Sequence, residues 1–117
     1  MRYLALIYGD ENAWDALSEQ EQEAVHAKYR AFSDSGGAKI VGGAELAPTR
    51  SATTVRVREG KTQVSDGPAE NLAAPRGGFF LFECESMDEA VQLAAKIPGA
   101  ATGFVEVWPA HVEEGES

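Results

Sequence analysis

One cysteine, two histidines and no apolar run longer than a single strand are all that this 117-residue chain offers of the usual markers of chemistry. With Cys84 alone no intrachain disulfide can form and no cysteine-rich zinc site can be built. Its setting, FFLFECES, reads as a small apolar core position. His26 and His111 share no ligand spacing, so no metal is expected. Positive charge is scarce as well: ten Lys and Arg stand against nineteen Asp and Glu, a formal charge of −9. Such a surface repels phosphate backbones, which removes nucleic acid from the expected partners. The apolar stretch RYLALIY stops at Gly9 and Asp10, far below membrane-spanning length and without a small-residue cleavage site. It reads as a strand of a cytoplasmic protein with no membrane partner. G-x-S-x-G, P-loop and G-x-G-x-x-G words are missing too, so no nucleotide or other cofactor is expected.

What is present is a well-patterned globular chain, 44% hydrophobic and 25% charged, long enough to bury one core. Residues 2–8 are apolar on both alternating sets, as in a strand covered on both faces. LSEQEQEAVHAKYRAFSDSGG opens with Ser18 and Glu21 in capping-box spacing. It carries Val25, Tyr29 and Phe32 on one stripe and stops at Gly36-Gly37, which predicts a helix of about four to five turns. AKIVGGAEL predicts a strand whose glycine pair marks a bulge. ATTVRVREGKTQVSDGP is a hairpin turning at Glu59-Gly60. After a loop from Ala69 to Arg76, FFLFECE is again apolar on both faces. Ser86 and Glu89 open a second helix with Met87, Ala90, Ala94 and Ile97 on its stripe, and TGFVEVWP is the last strand.

The order β-α-β, hairpin, β-α-β predicts an α+β fold, a ferredoxin-like sandwich with an antiparallel sheet. Residues 1–109 form the domain and 110–117 a short acidic tail. Two helices cover only one face of such a sheet, while LALIY and FFLFE ask for burial on both. A second subunit laid face to face, giving a homodimer shaped as a dimeric α/β barrel, satisfies them.

Taken together, RYLALIYGDENAWDALSEQEQEA, GGAELAPTRSATTVRVREGK, VSDGP, GGFFLFECESMDEAVQLAAKIPGA and VEVWP resemble the YCII-related proteins of the DGPF-domain branch over residues 1 to 109. The resemblance implies the dimeric barrel and a pocket in which a helix-one histidine and an aspartate form a catalytic pair. His26 falls at the position of that histidine, and Asp66 opens the motif that names the branch. The motif's phenylalanine is Ala69 here, and its usual acidic and lysine positions are Asn71 and Ala73, so the pocket wall differs.

His26 sits at the edge of the apolar stripe, where an imidazole oriented by a carboxylate can act as general acid or base. The plain alternative is a half-exposed boundary residue. Asp66 has a structural alternative as a turn-former, but Pro68 lacks the amide that an aspartate would bond two residues on. Asp10 and Glu11 read as solvated or capping residues. The expectation is an enzyme that moves a proton on an unknown small molecule with His26 and Asp66. The alternative is a non-catalytic ligand-binding or protein-interaction module, which the branch's association with sigma-factor regulation makes plausible by analogy.

Overall fold

In a computed structural model, which describes residues 1–69 and 76–111, the apolar N-terminal run becomes the inner strand β1 (Arg2–Tyr8). The Asp10 carboxylate then accepts from the amides of Asn12 and Ala13 and caps a short helix α1 (Glu11–Asp15) that the sequence pattern did not suggest. Helix α2 (Glu19–Gly36) begins with the expected capping box, Ser18 and Glu21 each accepting from the other's amide. Then follow β2 (Ile40–Glu45), a 3-10 turn at Thr49–Ser51, β3 (Thr53–Arg58), β4 (Lys61–Asp66) and β5 (Arg76–Glu83). Helix α3 (Met87–Ala94), a single turn α4 (Gly99–Thr102) and β6 (Phe104–Pro109) complete the chain. Most of the loop expected from Ala69 to Arg76, with Asn71 and Ala73, and the tail beyond His111 lie outside the described residues.

The main sheet has the order β2-β5-β1-β6 with every neighbouring pair antiparallel, a ferredoxin-like arrangement. The hairpin forms as expected, with Glu59 and Gly60 both at positive φ, 53° and 75°, as a two-residue type I′ turn requires. It does not join the main sheet: β3 and β4 make a separate two-stranded ribbon. Among the described residues no helix is long and apolar enough to cross a membrane.

One sheet face carries the core. Tyr3, Ala5, Ile7 and Phe82 pack with Phe32 of α2 and with Ala90, Leu93 and Ala94 of α3. Cys84 is buried among them, as its apolar setting suggested. Ile97 lies past the end of α3 rather than on its stripe, yet only 1% of it is exposed. The register places Leu4, Leu6, Phe79, Leu81, Phe104 and Trp108 on the opposite face. There Phe104 and Trp108 are 49% and 55% exposed, while α2 and α3 both pack on the first face. The Tyr8 hydroxyl (2.8 Å) and the Trp108 indole N–H (3.3 Å) both donate to Glu106 Oε1, so the polar tips on this apolar face are already paired.

Candidate functional site

β2 does not keep regular alternation. Its register against β5 slips between Ile40, opposite Phe82, and Gly42, opposite Leu81. Val41 is the extra residue of a bulge, and the slip reverses the facing of everything after it. Without it Glu45 would point to the open face. With it Glu45 pairs with Gly78, which is itself opposite Ile7, and so joins the helix side. A side chain at Gly78 would run into the Ala44 carbonyl, its Cβ only 2.6 Å from that oxygen, so the position opposite Glu45 stays bare.

Across this gap α2 presents His26. Its Nε2 lies 3.7 Å from Glu45 Oε1, beyond hydrogen-bond length. That nitrogen is shielded from solvent and has no hydrogen-bond partner among the described residues. A buried imidazole nitrogen without a partner carries a desolvation cost. Trp14 of α1 covers the ring, with centroids 5.3 Å apart and planes tilted by 54°. The Gln22 side-chain amide donates to the Trp14 carbonyl and ties α1 to α2.

One helical turn past His26, Tyr29 stacks near Phe80 and its hydroxyl accepts from the Gly99 amide at 3.1 Å. A Cβ at Gly99 would stand 2.8 Å from both that hydroxyl and Ile7 Cγ2, so this approach needs glycine. Burial pushes the Tyr29 phenol up and the Glu45 charge adds to the shift, against the Gly99 amide, which favours the phenolate. The phenol therefore keeps its proton and can donate it in a hydrogen bond.

Glu11 of α1 accepts from the Thr49 amide at 2.6 Å. The Thr49 hydroxyl and amide hold its carboxyl below the usual carboxylate value, and Arg50 helps. This link fastens the helix bearing Trp14 to the loop after β2. That loop and Pro68 enclose an open, mainly apolar cleft of about 230 Å³ that begins at Leu46, one residue beyond Glu45.

Asp66 closes β4 opposite Thr53 and is exposed. The turn after it is held by the Gly67 amide on the Ala52 carbonyl (2.7 Å) and by the Thr54 hydroxyl on the Gly67 carbonyl (2.8 Å). Backbone and Thr54 thus do the work assigned to the aspartate in the turn-former reading. Among the described residues no hydrogen bond or ion pair joins Asp66 to His26, and the carboxylate standing against the ring is Glu45. Glu45 and Trp14 were missed by the sequence reading. The glycine pair of β2 was the available signal for the bulge, but its offset decides which way Glu45 faces.

Comparison with known proteins bears on the whole chain. The sequence model of the YCII-related domain matches residues 1–111. An uncharacterised protein of Rhizobium meliloti (strain 1021) is 37% identical over 115 residues, covering 93% of this chain and 91% of that protein. Among solved structures, the 5-chloro-2-hydroxyhydroquinone dehydrochlorinase of Burkholderia phenoliruptrix, in complex with 2,5-dihydroxybenzoquinone, superposes with a TM-score of 0.57. Its identity is 18%, with all of both chains covered.

Proposed function

The chain belongs to the YCII-related domain family, and from that premise we propose that it is a small-molecule enzyme in which His26 moves a proton. The observation that carries this reading is the solvent-shielded, unpartnered Nε2 of His26 with a carboxylate 3.7 Å away. A small movement of either side chain makes that contact a hydrogen bond, which orients the ring. Glu45 is the orienting carboxylate. Trp14 walls off one side of the ring, and the Tyr29 phenol donates to an oxygen on the bound molecule. Asp66, two residues before the cleft-lining Pro68, serves as the second carboxylate, acting on the ligand from the hairpin side of the cleft.

The working unit in this reading is a homodimer closed through the open sheet face, a dimeric α/β barrel. Six apolar side chains on one face, with the tips of Tyr8 and Trp108 already satisfied by Glu106, suit burial against an equivalent surface. The ligand class is a small planar molecule with an acidic hydroxyl or an enolisable carbonyl, sized to the cleft. The dehydrochlorinase that shares the fold is solved with such a quinone.

Titration of the full chain with 2,5-dihydroxybenzoquinone and a panel of small hydroxylated aromatics, followed by nuclear magnetic resonance, tests the site. The expected result is coincident shifts at His26, Tyr29, Glu45 and residues 46–52, abolished by His26→Ala. Shifts confined to other surfaces, or untouched by that substitution, favour the non-catalytic module instead.

A further inference from the structure

The β3–β4 ribbon has two unlike faces. Register puts Val55 opposite Val64, with Val57 opposite Thr62 toward the turn and Thr53 opposite Asp66 at the strand ends, on one side. Arg56 opposite Gln63 and Arg58 opposite Lys61 lie on the other. The three valines are 60%, 59% and 64% exposed, and of all residues in the two strands only Thr54 is even partly buried. A two-stranded hairpin with no packed face is marginal in water. Three valines on one side, with the acid at the strand ends and the cations on the other side, fit a ribbon that is covered over its valines.

We infer that this hairpin is an arm that packs its valine face on a second copy of the same chain and completes the dimer begun by the open sheet face. The inference rests on the dimer reading above and extends it to a second contact. Area argues for it. Four strands about 4.8 Å apart and roughly 24 Å long offer a flat footprint of about 450 Å². A specific, stable dimer buries about 800 Å² per partner. A two-stranded arm about 20 Å long adds on the order of 200 Å² on each side, and both copies contribute one.

Charge argues for the same occupant. A chain of net charge −9 repels its own copy, so self-association must use the surfaces where uncompensated acid is least. On the open face Glu83 is paired with Arg2 and the N-terminus, while Glu106 keeps its charge and has its oxygen satisfied by Tyr8 and Trp108. The hairpin as a whole carries Arg56, Arg58 and Lys61 against Glu59 and Asp66, so its approach to an acidic copy is favoured, although the cations lie on the side away from the valines.

The test is sedimentation equilibrium of the full chain in three forms: wild type, the triple variant Val55→Thr, Val57→Thr, Val64→Thr, and Trp108→Ser. Threonine keeps the shape and strand preference of valine at exposed positions, and unchanged circular dichroism checks the fold. The expected result is a wild-type dimer whose dissociation constant rises at least tenfold in the triple variant and also in Trp108→Ser. If the triple variant dimerises within twofold of wild type while Trp108→Ser weakens it, the arm is wrong and the sheet-face dimer stands. A wild-type chain that stays monomeric at about 100 µM overturns both.

Discussion

The place of His26 at the edge of the apolar stripe, one position from Val25, was readable from the helix period, and the structure keeps it there, half-buried; its nomination as a site residue came from the family resemblance. The residue His26 faces was not readable. Glu45 reaches the helix side only because one residue, Val41, is looped out of register, and a pattern with period two carries no sign of which residue a bulge removes. Trp14 was hidden for a different reason: a five-residue helix gives too short a window for periodicity, and its formation depends on the Asp10 cap and on Glu11 reaching Thr49. The Glu11 carboxyl titrates lower in the folded chain than in the unfolded one. Its stabilisation is therefore fully present above the unfolded carboxylate value and is lost as pH falls through the lowered folded value. Glu11→Gln is expected to cost on the order of 0.5 kcal/mol at neutral pH, discounted for solvent exposure. The difference from wild type should vanish in thermal melts taken well below pH 4. A gap that persists at acid pH would show that the side chain acts through something other than its charge.

Among elements, those with a strong period and a cap were read closely, and those closed by tertiary contact were not. Ser18 and Glu21 cap α2 reciprocally, as their spacing required. In α3 only half of the same signature forms: Ser86 accepts from the Glu89 amide, whereas the Glu89 carboxylate turns to the Glu85 amide and to Lys39 at 3.0 Å. A charged neighbour outside the helix competes for the carboxylate, and the four-residue motif has no term for it. Likewise α3 stops at Ala94 although its apolar stripe runs on to Ile97, because that side chain enters the core from the following turn. Since α2 carries both His26 and Tyr29, its first turn sets how firmly the site is held. Ser18→Ala should lower stability by about 1 kcal/mol, a shift of about 4 °C in the melting temperature. Melting within 1 °C of wild type would mean that the box contributes nothing and that α2 is held by its packing alone.

At the scale of the whole molecule, the two-sided apolar strands β1 and β5 announced a sheet needing cover on both faces, and the structure supplies helices for one. The hairpin was placed correctly in sequence, but its separation from the main sheet was not readable, because strand patterning is the same whether a ribbon pairs with a sheet or leaves it. The open sheet face lies opposite the helix layer that holds His26, so association through that face and chemistry are separable by mutation. In the proposed reading His26 exchanges a proton with a bound small molecule. That exchange is read from the rate at which wild type and His26→Asn move deuterium from solvent into an enolisable member of the ligand panel. Wild type should incorporate deuterium at least about 100-fold faster than His26→Asn, as the loss of a general acid-base group requires; equal rates in the two proteins would contradict it.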